Sequence, residues 1–186
     1  MNTIQKMTPN IQKRILEFNL EGELNHGKIV SNLAYEVAKE LGLSEEQCYE
    51  LAIAGMLHDI GKLKLTGYIN GQEKDPLVIE ELKFVRMHST LGYEELKNQG
   101  YSDFVLESIL YHHENYDGSG YPSNKAGEEI PIGARILRVC DVYAALSSDR
   151  SYRKAFDMQT TMELMIEEVK NFDMQIFLAF QRVVHR

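Results

Sequence analysis

Residues 30–42 read Val-Ser-Asn-Leu-Ala-Tyr-Glu-Val-Ala-Lys-Glu-Leu-Gly. Val30, Leu33, Ala34, Val37, Ala38 and Leu41 recur at steps of three and four. That is the period of one helix face, not the two-residue alternation of a half-buried strand. Gly42 reads as the stop, since glycine reaches the left-handed angles at which helices commonly end. Ser44 and Gln47 then have the spacing of a capping box, each side chain satisfying the other's free backbone amide. The helix they open carries Cys48, Leu51, Ala52 and Gly55 on one face and runs into His58-Asp59, with Gly61 as its end.

The helical period extends in both directions, and no pair of strands can be discerned. Residues 64–74, with two glycines, an asparagine and mixed charges, read as a loop. Asp75-Pro76 forms a helix start, a capping residue followed by proline at the first position. Ile79, Leu82 and Val85 line that helix, which can deliver His88. After Gly100, Ser102 is placed to cap a helix carrying Val105, Ile109, His112 and His113. Asp117 to Gly127 is the longest turn-rich stretch. Pro131 opens a further helix with Ile132, Ile136, Val139 and Tyr143 along one face, and two more are predicted over 158–170 and 174–184. The expected fold is all-α and a single domain, with residues 1–25 as a helical lead-in, flexible before about residue 10, and residues 26–186 as the functional unit.

The totals agree with an ordered globular chain. Its 186 residues are 44% apolar and 26% charged, with 13 glycines and 4 prolines. That length suffices for one real core. No apolar run approaches the roughly 18 residues of a membrane helix, and no secretory signal is visible, so a cytoplasmic location is expected. Cys48 and Cys140 stand apart in no metal-like spacing and read as reduced, packed thiols. A net charge of −8 argues against general affinity for long nucleic acid. An anionic substrate would need a metal and local cations, and Lys62, Arg135, Arg150, Arg153 and Lys154 are the candidates.

The chemistry lies in the placement of the histidines. His58-Asp59-Ile60-Gly61-Lys62 lies between the isolated His26 and His88. His112-His113-Glu114 follows at the end of a predicted helix, and Asp141 lies downstream. Neutral imidazoles and carboxylates suit divalent transition metals, and two neighbouring ions need a shared acidic bridge, for which Asp59 is well placed. Adjacent helical side chains diverge by about 100°, so His112 and His113 can meet at one ion only if the helix end is loosened, which the following glycines permit. A lone histidine is usually a packed or surface residue; five in these contexts point to a site. His185, one residue from the end, reads as a surface residue. Glu114 has two readings, a ligand or a group that orients an imidazole. Lys62 reads as a phosphate contact or an exposed lysine at a helix end. Arg150 and Arg153 read as a phosphate grip or a solvated charged face. The turn Gly118-Ser119-Gly120-Tyr121-Pro122 reads as a loop or as a lid whose aromatic ring packs on a base.

With these residues in view, the chain resembles the HD-GYP family, a bacterial branch of the HD-domain metal-dependent phosphohydrolases. The resemblance runs from about His26 to the last helix. It rests on His58-Asp59-Ile60-Gly61-Lys62, on His112-His113-Glu114 with Asp117-Gly118, on Gly120-Tyr121-Pro122, on Ala134-Arg135-Ile136 leading to Asp141, and on Ala145-Leu146-Ser147-Ser148-Asp149-Arg150 with Tyr152-Arg153. It implies a compact multi-helix HD-domain bundle with a metal centre of iron or manganese in its core. The implied activity is hydrolysis of cyclic di-GMP to the linear dinucleotide and then GMP, by a hydroxide bridging the metals. By the same resemblance His26, His58, Asp59 and Asp141 serve one metal, and Asp59, His88, His112 and His113 the other. Lys62 sits at the phosphate, Tyr121 at the substrate, and Arg150 and Arg153 hold it.

Five positions depart from the family pattern. Members with a third metal have glutamate where Gly22 stands; Glu21 and Glu23 flank it and are expected to point elsewhere, which implies two metals. Ala144 stands where many members have a second aspartate. Ser151 replaces a proline, Asn124 a glycine and Ile29 an arginine. The competing readings are a non-hydrolytic metal-binding sensor or interaction module, and a phosphohydrolase for another cyclic dinucleotide or nucleotide. The expected partner is a small cyclic dinucleotide, with no membrane; a homodimer or a separate regulatory protein stays open.

Overall fold

The computed structural model describes residues 20–69, 85–149 and 153–186. Helices α1 (Leu20–Glu40), α2 (Glu45–Leu57) and α3 (Lys62–Ile69) lead to α4 (His88–Leu96) and α5 (Asp103–Tyr111). After a long turn and a 3₁₀ turn at Gly127–Glu129 come α6 (Ile132–Ser147) and α7 (Met158–Glu167). A second 3₁₀ turn at Val169–Asn171 precedes α8 (Met174–Val184).

The local signals behave as the sequence predicts. Gly42 takes φ +76° just past α1, and Ser44 and Gln47 form the capping box of α2. Ser102 accepts from the Val105 amide at the start of α5, and α6 begins directly after Pro131. Asp157 and Asp173 cap α7 and α8 in the same way. Each such cap contributes about 1 kcal/mol.

Three expectations are corrected. Residues 64–69 of the predicted loop belong to helix α3. Leu65 is buried there, and α3 packs on α4, so tertiary burial overrides a locally turn-like composition. On α2 the buried alanine is Ala54, not Ala52. The helix predicted over 158–170 stops at Glu167 and tightens into the 3₁₀ turn. The predicted start at Asp75-Pro76, with Ile79 and Leu82, lies outside the described residues, as do residues 70–74 of the predicted loop, Arg150 to Tyr152 and the first residues of the lead-in.

Helix α6 is the axis of the molecule. It packs against α1, α2, α5, α7 and α8, while α1 lies along α2 and α4 along α5. Its inward residues Ala134, Ile136, Leu137, Val139, Cys140 and Ala144 meet Val30, Ala34, Leu51, Ile109, Met165 and Phe180, all fully buried. Each large aliphatic or aromatic side chain so buried contributes about 1.5–3 kcal/mol. Cys48 and Cys140 are buried free thiols. Arg135 forms a 2.6 Å ion pair with Asp173, tying α6 to the start of α8. This packing leaves α1, α2, α5 and α6 converging at one end, where each presents a ligand-type side chain.

Candidate metal centre

His26 projects from α1, His58 from the end of α2, His88 from the start of α4, His112 and His113 from the end of α5, and Asp141 from α6. His26, His58, His88 and His112 are all buried. Three of the rings are oriented alike. The Nδ1–H of His58 donates to the Gly55 carbonyl at 2.8 Å, that of His88 to Val85 at 2.5 Å, and that of His112 to Ile109 at 2.6 Å. A carbonyl can only accept, so each Nδ1 keeps its proton and Nε2 is the nitrogen aimed into the centre. Helix α5 ends at Tyr111, and the loosened backbone brings the rings of His112 and His113 within 4.0 Å of each other, centroid to centroid.

The seven side chains sort into two groups. In one, Asp141 Oδ1 lies 2.9 Å from His26 Nε2 and 3.7 Å from His58 Nε2. In the other, His88 Nε2 lies 3.3 Å from His112 Nε2 and 3.1 Å from His113 Nε2. Asp59 touches both groups with separate oxygens: Oδ2 is 3.2 Å from His58 Nε2, and Oδ1 is 3.2 Å from His88 Nε2. His88, His112 and His113, and likewise His26, His58 and Asp59, can each offer three donor atoms to one ion.

Electrostatics separates the groups. Burial opposes a charge on His58, but the carboxylates of Asp59 and Asp141 outweigh it and hold the imidazole up to about 10. Despite their own burial, Asp59 and Asp141 are held well below the usual carboxylate range, Asp59 chiefly by His58 and Lys62, Asp141 by His26 and His58. Burial pushes His88 and His112 down, and His113 down to about 3. Those three rings are neutral at physiological pH. His58 Nε2 is buried without a hydrogen bond of acceptable geometry, although two carboxylates lie within 4 Å. An orphaned imidazole nitrogen facing carboxylates, beside three neutral imidazoles whose nitrogens crowd together, is a donor set that fits divalent metal ions.

The surrounding residues shape the centre. Lys62 opens α3 and places Nζ 2.6 Å from Asp59 Oδ2. The same ammonium lies 3.1 Å from Glu23 Oε2, so Glu23 turns toward the site, contrary to expectation. Glu23 precedes His26 by three residues, which keeps both on one helix face. Glu114 is buried; its Oε1 accepts from the Ser123 amide at 2.6 Å, so it anchors the turn after Tyr121-Pro122. Tyr121 stacks on His113 with centroids 4.7 Å apart, and the Arg86 guanidinium lies 5.3 Å from the centre of the tyrosine ring. A Cβ on Gly120 would strike the backbone of His113, Glu114 and Asn115, so only glycine lets the turn fold down onto the histidine pair. Asn124 adopts φ +55°, as its tolerance of left-handed angles predicts. Gly61 fits against α4, where a Cβ would collide with the His88 carbonyl.

Other sequence candidates lie elsewhere. Arg153 donates to the carbonyls of Ala145 and Leu146 at the end of α6 and to that of Lys154. Lys154 pairs with Asp149 on the surface, Arg135 is held by Asp173, and His185 is exposed at the end of α8. Ala144 is fully buried in the core and offers the centre nothing. The structure adds Arg86 and Arg138, which the sequence reading passed over. Arg138 Nε donates to Asn115 Oδ1 at 2.9 Å, two residues beyond His113. Its spacing of three from Asp141 along one helix was the available signal.

The fold and the centre are those of an HD domain: a family model of that description matches residues 10–176, and the chain belongs to that family. The paired histidines His112-His113 and the Gly120-Tyr121-Pro122 turn, on which the resemblance to the HD-GYP branch rests, lie together at the centre. The chain is 37% identical over 163 residues to a cyclic di-GMP phosphodiesterase of Pseudomonas aeruginosa, covering 86% of this chain and 38% of that protein. A 3′3′-cGAMP-specific phosphodiesterase of Vibrio cholerae is 32% identical over 169 residues, covering 90% of this chain and 39% of the relative. The chain thus spans about two fifths of the length of these relatives. In structure it is similar to an HD-GYP-type protein of Bdellovibrio bacteriovorus, with a TM-score of 0.70, 19% identity, and coverage of 100% of this chain and 60% of the other. No helix among the described residues is long and apolar enough to cross a membrane.

Proposed function

We propose that the chain is a metal-dependent phosphodiesterase that hydrolyses cyclic di-GMP to the linear dinucleotide and then to GMP. The observation that carries this reading is Asp59, whose two oxygens address two separate histidine groups, the arrangement a pair of neighbouring ions requires. His26, His58, Asp59 and Asp141 would hold one ion, and Asp59, His88, His112 and His113 the other, iron or manganese in each case. Such ions supply Lewis acidity at the phosphodiester oxygens and an activated water at neutral pH. The protein's own part is positional. The Nδ1–carbonyl bonds fix three imidazoles, and the Gly120 turn seats Tyr121 on His113. Lys62 holds its ammonium at the edge of the centre, where it would meet a phosphate oxygen. Arg150 would contact the substrate. Residues 26–186 form the catalytic unit, working in the cytoplasm on a cyclic dinucleotide.

The test is turnover of cyclic di-GMP by anaerobically prepared protein loaded with iron or manganese, with metal counted in the same sample. Linear dinucleotide or GMP from protein holding about two ions supports the proposal. Fully metallated protein that leaves cyclic di-GMP intact but cleaves 3′3′-cGAMP would move the assignment to that substrate, as for the Vibrio relative. Inertness toward both would leave a binding module.

A further inference from the structure

A cyclic dinucleotide carries two phosphodiesters on opposite sides of one macrocycle. When one occupies the metal centre, the other remains an anion that needs a counter-charge of its own. The chain is acidic overall, at −8, with Asp59, Asp141 and Glu23 gathered at the centre, so the second phosphate needs a cation that is not already engaged.

The described cations named above can be sorted by what they touch. Lys62 is held by Asp59 and Glu23. Arg135 is paired with Asp173, Lys154 with Asp149, and Arg153 donates to three carbonyls. Arg138 differs. It is half-buried on α6, one turn before Asp141, and its Nε is fixed by Asn115. Among the described residues its terminal nitrogens have no hydrogen-bond or ion-pair partner. Asn115 lies two residues beyond His113, whose carbonyl accepts from the Tyr121 amide, so this anchor holds the guanidinium on the histidine-pair side of the centre. Arg86, exposed two residues before His88, lies over the Tyr121 ring and has no ion-pair partner among the described residues. Two guanidinium groups without an ion-pair partner among the described residues therefore lie on the Tyr121 side of the centre.

We infer that Arg138, assisted by Arg86, forms an anion subsite beside Tyr121 that holds the second, uncleaved phosphate of a cyclic dinucleotide while the first lies at the metals. The inference rests on the phosphodiesterase reading and gives its substrate class a structural cause. Anchoring by Asn115 leaves the forked terminal nitrogens of Arg138 free for a phosphate, the geometry arginine serves best. A substrate with a single phosphodiester has nothing to place there.

The experiment compares cyclic di-GMP with bis(4-nitrophenyl) phosphate, a small diester with one phosphate, using the full chain loaded with manganese. Arg138→Gln is expected to raise KM for cyclic di-GMP about tenfold relative to its effect on the small diester, with metal content at the wild-type level and kcat changed less than KM. Arg138→Lys should restore part of the loss, and Arg86→Gln should give a smaller shift in the same direction. An equal effect on both substrates, or no effect on either, overturns the subsite and leaves the phosphodiesterase reading standing. If the wild type cleaves neither substrate, equilibrium binding of cyclic di-GMP replaces KM. A Kd weakened about tenfold by Arg138→Gln then supports the subsite although the proposed reaction has failed. An unchanged Kd, or no binding by the wild type, overturns it.

Discussion

The two halves of the centre are built from different chemistry. The half containing His26, His58 and Asp141 mixes imidazoles with a half-buried carboxylate and, without metal, keeps a proton on His58 up to about pH 10. The half containing His88, His112 and His113 is all imidazole, and burial keeps it neutral, with His113 pushed down to about 3. One half must expel a proton before it can take up an ion, whereas the other is already in its binding form. Asp59 belongs to both, and Gly61 sets how closely they approach.

Removing the shared residue should have the largest effect. Asp59→Ala is expected to empty both halves and abolish turnover. Losses of metal affinity should exceed the 10–100-fold typical of changes to groups that only orient a ligand. Metal analysis after dialysis checks this, and a full complement of tightly held metal would remove Asp59 from its bridging role. Separating the halves should cost less. In Gly61→Ala the new methyl group meets the His88 carbonyl, so α4 must shift away from Asp59. We expect a loss of about 1–3 kcal/mol, as for other overpacked sites, visible as a lower Tm, together with metal lost first from the all-imidazole half. Retention of both the wild-type Tm and metal would show that the two halves are not set by this contact.

The smallest effect concerns the proton itself. The folded value of His58, about 10, lies above the ordinary imidazole value of 6.5, so in metal-free protein this group stabilises the fold fully below about pH 6.5. That stability fades as pH rises through about 10. Adding manganese at pH 7 in weak buffer should therefore release about one proton, all of it from the carboxylate-bearing half. Affinity there should rise with pH, while affinity in the all-imidazole half should level off above about pH 6.5. Metal uptake without proton release would show that the two halves do not differ in this way.

Much of this was legible in the sequence because it is local. The helix face from Val30 to Leu41, the boxes at Ser44 and Ser102 and the turn at Gly120 are written in short spacings, and so are the ligand types. What escaped depends on packing. Residues 64–69 have the composition of a loop and become a helix because Leu65 finds a buried place against α4. Glu23 stands three residues before His26 rather than four, yet a three-residue step places it equally well on the face of His26. Arg138 and Arg86 are ordinary surface arginines until the fold brings both beside Tyr121. Arg153 illustrates the converse: an arginine at a plausible phosphate spacing turns back onto the carbonyl end of its own neighbouring helix.

The burial of Cys140 governs which ions can compete for the centre. This cysteine directly precedes Asp141, and burial pushes its thiol up. A thiolate at that point would attract soft ions such as copper(I) and strengthen zinc binding. With the sulfur protonated and directed into the core, nitrogen and oxygen are the only donors. The centre then selects among borderline and hard divalent ions by supply. Burial also shields the Cys140 sulfur from oxidants that would convert it to a sulfenic acid.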